Sequence, residues 1–286
     1  MMPAQIMDFL CPEEGGVFVD CTTGEGGHSE MILNLSDKSR IICLDLDLNM
    51  LHKAKERLSK FEGRTTFVHA NFCDINKAME LAQTTLVKGI LMDLGISMAH
   101  IKGEERGITF AHDQPLDMRL DSMVGSPASY YVNKLKFEEL AKVISDFSEE
   151  RFAGRIARAI TESRQKNRIE TTTQLVEIIS KVVPKTGKIN PATRTFQALR
   201  ILVNSELENL HEALPKCLRY LCGGGVLVAI SYHSLEDRIV KNAFKDADPN
   251  SFEILTKKPL EANEDEVAEN PASRSAKLRA IRRKIG

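Results

Sequence analysis

One stretch constrains this chain more than any other: Val17-Phe18-Val19-Asp20-Cys21-Thr22-Thr23-Gly24-Glu25-Gly26-Gly27-His28-Ser29. An apolar run ends in a carboxylate, breaks into a glycine-rich turn and opens a helix at about Ser29. Open α/β sheets build nucleotide-sized pockets in this way. Glycines let the backbone approach a ligand and take φ values that a Cβ forbids. The helix start then offers free N–H groups. Tight strand–helix turns use glycine everywhere, so the turn by itself says little. A second apolar run, Arg40–Asp45, also ends in an acid. Asp45 follows Asp20 at about the spacing by which a second strand offers a carboxylate to a ribose. Two strands, each ending in an acid, with a helix between them indicate a nucleoside site.

The turn also discriminates between nucleosides. A dinucleotide fingerprint needs glycine where Ser29 stands, and Asp20 and Glu25 would repel a pyrophosphate. S-adenosyl-L-methionine has no phosphate and carries a cationic sulfonium and an amino group. The acidic turn therefore favours a methyl donor over NAD.

At 286 residues the chain has room for one large domain or a domain with an insertion. Its net charge of −1 excludes a basic coat over the whole surface but permits local basic patches. The six cysteines show no C-x-x-C spacing, so neither a zinc site nor a disulfide framework is expected. Neither a signal peptide nor an apolar run of membrane-spanning length is read in the chain, and a cytoplasmic location is the expectation.

Strands are predicted at Val17–Asp20, Arg40–Asp45, Thr65–His69 and Val87–Asp93, with helices such as Asn49–Lys60 between them. This is the alternation of a doubly wound parallel sheet. From about Leu120 to Val183 the strands cease. Helices are predicted at Phe137–Phe147, Glu149–Gln165 and Thr172–Val183, the last opened by a Thr171/Gln174 capping box. A long helix, Ala192–Leu221, follows; Pro215 is its point of weakness and Gly223–Gly225 its end. Then come a strand at Val226–Ser231, a helix at Leu235–Phe244, a strand at Phe252–Thr256 and an edge strand at Lys277–Arg282. Acidic Glu261–Glu269 reads as a loop. The expected division is a sheet domain over 1–118 and 196–286, with a helical insertion over 119–195 for substrate recognition.

Asp20, Asp45 and Asp93 stand at successive strand ends, where open sheets bind ligands. Each could instead cap the next helix. Downstream lie Pro191-Ala192-Thr193-Arg194-Thr195-Phe196-Gln197-Ala198 and Ser231-Tyr232-His233-Ser234-Leu235-Glu236-Asp237-Arg238-Ile239-Val240-Lys241. With Asp20–Ser29, Leu44–Asp47, Met92–Ser97, Arg106-Gly107, Pro115–Asp121, Glu150–Ala159 and Glu269–Arg279, these segments resemble the bacterial RsmH (MraW) family over nearly the whole chain. That family comprises 16S rRNA cytosine-N4 methyltransferases.

The resemblance implies a class I S-adenosylmethionine-dependent methyltransferase fold, a Rossmann-like doubly wound sheet carrying an inserted all-helical domain. It implies methyl transfer to the exocyclic N4 of a P-site cytidine, usually numbered 1402, in 16S rRNA of the small ribosomal subunit. By the same resemblance Gly26, Gly27 and His28 hold the methionine end of the cofactor. Asp45 takes the ribose, Phe72 packs on the adenine, and Asp93 lies near the adenine or the reacting centre. His100 stands where the family usually has a cofactor-contacting Gln, and Tyr232 where it has Phe. The family's His-x-Pro-Val segment is expected before the first helix, whereas the sequence opens Met1-Met2-Pro3-Ala4.

For the chemistry, Asp93 is the expected acceptor for the substrate amino group, with Ser97 and His233 on elements facing the same crevice. His233 either positions substrate or takes a proton, or it only ties the strand end to Glu236 or Asp237. Arg151, Arg155 and Arg158 fall on one helical face, followed by Arg164, Lys166 and Arg168. Arg274, Lys277, Arg279, Arg282, Arg283 and Lys284 form a basic tail. Both are candidate RNA contacts, while Arg119 and Arg194 could instead pair with acids between domains. A methyltransferase of another substrate and a non-catalytic ribosome-binding relative remain as alternatives, and a homodimer stays open.

Overall fold

The computed structural model describes residues 1–96, 106–185 and 190–286. It divides into two compact units, Met1–Gly95 with Leu207–Gly286, and Ile96–Glu206.

The first unit is a sheet in the order β3-β2-β1-β4-β5-β8-β6, with β7 also paired to β8. Its strands are β1 (Gly16–Asp20), β2 (Ser39–Asp45), β3 (Thr65–His69), β4 (Val87–Asp93), β5 (Leu221–Ser231), β6 (Phe252–Ile254), β7 (Leu260–Glu261) and β8 (Lys277–Arg283). β1 to β5 run parallel; β8 is antiparallel to β5, β6 and β7. Winding reverses between the neighbours β1 and β4, the switch point at which such sheets open a crevice.

The strands read as near-continuous apolar runs because both faces are buried. Side chains alternate between the faces. Val19, Ile42, Leu44, Ile90, Met92, Leu227 and Ala229 join one core with Ile75, Met79, Leu210, Leu214, Val240 and Phe244. Phe18, Ile41, Cys43, Leu91, Val228 and Ile230 join the other with Ile6, Leu10, Ile32 and Leu33. The helices supplying these residues are α1 (Pro3–Leu10), α2 (Gly27–Leu35), α4 (Ile75–Leu81), α10 (Glu206–Tyr220) and α11 (Ser234–Asp246); α3 (Leu48–Arg57) lies between β2 and β3.

The second unit holds α5 (Ala128–Lys134), α6 (Phe137–Ser148), α7 (Ala153–Ser163), α8 (Thr172–Val182) and α9 (Thr193–Asn204). Leu140 and Ile144, Ile156 and Ile160, Leu175 and Ile179, and Phe196 and Leu199 meet in one core, each pair at helical spacing. The predicted box closes α8: Thr171 Oγ1 accepts from Gln174 N, and Gln174 Oε1 from Thr171 N. This unit is longer than the predicted 119–195, because the irregular segment holding Leu116 and Met118 packs into its core.

Four local expectations change. The long helix breaks at Ser205, which is left-handed at φ 49, and not at Pro215, which lies inside α10. Gly223–Gly225 does not stop a helix. It lies in β5 where the register against β4 jumps from Val87↔Leu221 to Gly89↔Val226, and a Cβ at Gly225 would meet three carbonyl oxygens at 2.9–3.1 Å. β8 is no edge strand, since β5 flanks one side and β6 and β7 the other. The acidic stretch contains a short helix, α12 (Glu264–Glu269), N-capped by Asn263 Oδ1 accepting from Glu266 N at 2.8 Å. Its three acids in the first turn suit that helix end.

Candidate active site

The ends of β1, β2, β4 and β5 converge on the glycine turn. Gly24 and Gly26 have φ of 54 and 80, so the turn demands residues without a Cβ penalty. Gly26 N donates to Thr23 O at 2.8 Å and Thr23 N to Leu44 O at 2.9 Å, tying the turn to β2. Gly24 N donates to Asp45 Oδ2 at 2.7 Å and Asp47 N to Asp45 Oδ1 at 2.8 Å, which fixes this carboxylate. Asp47, not Asp45, caps α3, accepting from Asn49 N. Gly26 has a packing role as well, since a Cβ there would lie 3.3 Å from Ala54 Cβ. Gly27 faces open space, the nearest atom to a Cβ built there being Arg57 Nη1 at 3.8 Å.

Asp20 does not face the crevice. It is 1% exposed and accepts from Ser29 Oγ at 2.7 Å and Thr22 N at 3.3 Å. Burial pushes its carboxyl up to about 6, against the opposing pull of His28 and the Ser29 hydrogen bond. Ser29, where a dinucleotide turn would carry glycine, is thus the partner that satisfies a buried acid.

Asp93 stands at the mouth of the crevice. Its backbone N donates to Thr22 Oγ1 at 2.7 Å. The Tyr232 hydroxyl donates to Asp93 Oδ1 at 2.6 Å, and His28 Nε2 lies 3.3 Å from Oδ2. The same Nε2 lies 3.3 Å from the Met1 ammonium, so the ring nitrogen sits between a carboxylate and a cation. Nδ1 is buried without a partner among the described residues. Burial and then the Asp93 charge push the Tyr232 phenol well above its ordinary range.

His233 is the N-cap of α11. Its Nδ1 accepts from Glu236 N at 3.4 Å, while Glu236 Oε2 accepts from Tyr232 N at 2.8 Å and His233 N at 3.3 Å. Nδ1 makes the tie to Glu236, while Nε2 is buried without a hydrogen-bond partner among the described residues. Phe72 follows β3 in a single 3₁₀ turn, half-buried against the core. Ser97 and His100 lie outside the described residues. Tyr232 was missed as a site residue. Its partner is 139 residues away, and only its place just after a strand end pointed to it.

The two basic groups differ. Arg151 and Arg155 are exposed and lie 4.7 and 5.5 Å from the Phe152 ring centroid; Arg158, also exposed, lies 5.9 Å from that of Phe137. Arg164 instead donates to Val132 O and Leu135 O, and Arg168 pairs with Glu170 at 2.6 Å. Much of the tail is structural: Arg279 is buried on Asp237, Arg283 donates to Leu221 O, and Lys284 donates to Pro249 O. Arg119 pairs with Asp117 within its own unit at 2.7 Å. A separate cleft of about 490 Å³ lies beside α11 and β6, floored by Phe244, Ala247, Phe252 and Ile254.

A β3-β2-β1-β4-β5 parallel core, an antiparallel β8 and an acidic glycine turn at the switch point define a Rossmann-like methyltransferase. A solved structure reported as an rRNA-methylase from Clostridium thermocellum shares this fold, with a TM-score of 0.50 at 13% identity over 98% of this chain and 96% of that one. The model of the MraW methylase family matches residues 1–284, and the chain belongs to that family. A relative from a Sulfurihydrogenibium species is 46% identical over 283 residues, covering 98% of this chain and 96% of its own. One from Thermotoga neapolitana is 44% identical over 286 residues, covering 98% and 94%. Both bear the name ribosomal RNA small subunit methyltransferase H.

Proposed function

We propose that this protein transfers a methyl group from S-adenosylmethionine to the exocyclic N4 of a cytidine in the 16S rRNA of the small ribosomal subunit. The observation that carries this reading is the near full-length similarity, at 42–46% identity, to relatives named for methylation of small-subunit rRNA. Specificity for N4 rests on the motif resemblance and on a carboxylate, Asp93, placed to receive an amino group.

The crevice residues fit such a cofactor. Fixed carboxylates at the ends of β2 and β4 suit a cationic ligand and disfavour a pyrophosphate. The buried His28 Nδ1, without a partner among the described residues, is a polar atom for the methionine end of the cofactor to satisfy. Gly26, Gly27 and His28 would hold the methionine end, Asp45 the ribose hydroxyls and Phe72 the adenine face. Bound there, the cofactor supplies an electrophilic methyl on a sulfonium.

The cytosine amino group is a poor nucleophile because its lone pair is delocalised into the ring. Asp93 accepts a hydrogen bond from one amino proton and so holds the nitrogen in line for attack, an orientation effect. The target base must leave any stacked helix to reach the crevice. His233 caps α11 through Nδ1, and its buried Nε2, without a hydrogen-bond partner among the described residues, keeps it a candidate for positioning substrate or taking the proton.

Small subunits lacking the modification, incubated with enzyme and labelled S-adenosylmethionine and then digested to nucleosides, test the reading. N4-methylcytidine is the expected product. Label in another nucleoside overturns the N4 assignment. Cofactor binding without any transfer points to a non-catalytic ribosome-binding relative.

A further inference from the structure

Both oxygens of Asp93 are engaged by side chains from other parts of the sheet, Tyr232 from beyond β5 and His28 from α2. A carboxylate turns about its last bond in a broad, two-fold well, so an aspartate at a crevice mouth is not oriented by its own rotamer. An acceptor helps a transition state most when it is fixed before the reaction begins. The Tyr232 contact has the length of a charge-assisted O–H···O⁻ bond, 2.6 Å.

Packing, not the hydroxyl, places the Tyr232 ring. The ring packs against the core that includes Phe18, Leu91 and Ile230. Its Cδ2 would lie 3.4 Å from a Cβ built on Gly95, whose φ is 97. Its backbone N is held by Glu236 Oε2 at 2.8 Å. Ring and backbone are therefore located independently, and the O–H is delivered to one place.

We propose that Tyr232 is a positioning residue for methyl transfer: its hydroxyl holds the Asp93 carboxylate in the orientation that receives the substrate amino group. This rests on the methyl-transfer reading above. Tyr232 acts through Asp93 and leaves an Asp93 lone pair for the substrate. Because its proton is held far above the ordinary phenol range, it remains a donor at any working pH.

Tyr232→Phe keeps the packed ring and removes only the O–H. The single-turnover rate at saturating cofactor and unmodified small subunit should fall roughly ten- to a hundredfold, the weight of one charge-assisted hydrogen bond. The subunit KM and the affinity for S-adenosylhomocysteine by calorimetry should stay within about twofold of the parent. A rate within twofold of the parent, or a loss carried wholly by KM, overturns the proposal. A second readout needs no turnover. In an alkaline absorbance titration of the folded protein Tyr232 should give no phenolate signal, so Tyr232→Phe should leave the titrating amplitude unchanged. An amplitude that falls by one phenol in Tyr232→Phe would remove the tie to Asp93. If the parent enzyme methylates no subunit, the functional reading fails, while the titration still shows whether the Tyr232 phenol is held as a donor.

Discussion

Arg279 grips Asp237 through two hydrogen bonds, Nε to Oδ1 at 2.6 Å and Nη2 to Oδ2 at 3.1 Å, fastening β8 to α11. Their side chains are only 7% and 15% exposed. Removing one partner strands the other charge in a poorly solvated place. Arg279→Met should therefore cost about 2–4 kcal/mol in urea unfolding, toward the lower end of buried-pair losses because some solvent reaches the pair. Replacing both, Arg279→Met with Asp237→Leu, should recover most of the loss. A single variant as stable as the parent would show that the pair contributes nothing.

The buried Asp20 makes a distinct pH prediction. Burial raises its carboxyl from 3.8 to about 6 in the folded chain. A raised acid favours the folded state while it is protonated. The stability it contributes is thus full below about pH 4 and is lost as pH rises through about 6. The loss is on the order of 3 kcal/mol. Asp20→Asn keeps an acceptor for Ser29 Oγ and has nothing to titrate. The difference in unfolding free energy between parent and variant should therefore move in the variant's favour between pH 4 and 7. A pH-independent difference would mean that Asp20 does not titrate in this window.

How much of this was legible follows from where each signal lies. β3 and β4 have the bounds their apolar, β-branched runs predict, because strands buried on both faces write their whole length in the sequence. β6 lies within the run read as a strand at Phe252–Thr256, but its pairing left no mark in the sequence and β7 is only two residues long, so β8 beside them looked like an edge. Gly223–Gly225 misled because a bulge and a helix stop ask for the same residue. In the site, Asp45 and the glycine turn were readable from local spacing. The Asp20–Ser29 bond turned a missing glycine into a structural partner. The Tyr232–Asp93 tie was not readable, since no local pattern links residues 139 positions apart. Arg279 looked like its basic neighbours until the fold buried it on Asp237.

Two neighbouring acids at the end of β2 separate ligand binding from stability. Asp45 is held by Gly24 N and Asp47 N and stands at the crevice. Asp47 caps α3 through Asn49 N at 2.8 Å. Asp45→Ala should weaken S-adenosylmethionine binding by roughly ten- to a hundredfold in calorimetry, as expected for hydrogen bonds to a charged acceptor. Asp47→Ala should instead cost about 1 kcal/mol of stability and leave that affinity nearly unchanged. The reverse pattern would move the ribose site to Asp47.

The exposed arginines of the helical unit carry the last prediction. Arg151 and Arg155 lie beside the Phe152 ring and Arg158 beside that of Phe137, an arrangement that braces each guanidinium while leaving N–H groups for phosphate. Under the rRNA reading these three contact the substrate backbone. Single-stranded RNA releases about 0.7 counterion per neutralised phosphate, so three contacts contribute about 2 to the slope of log K against log salt. Arg151→Gln, Arg155→Gln and Arg158→Gln combined should weaken binding of an unmodified small-subunit RNA fragment at low salt and flatten that slope by about 2. Cofactor affinity and melting temperature should barely move, because these side chains lie on the surface. An unchanged slope would mean that the arginines are solvated surface and that the RNA contacts lie elsewhere.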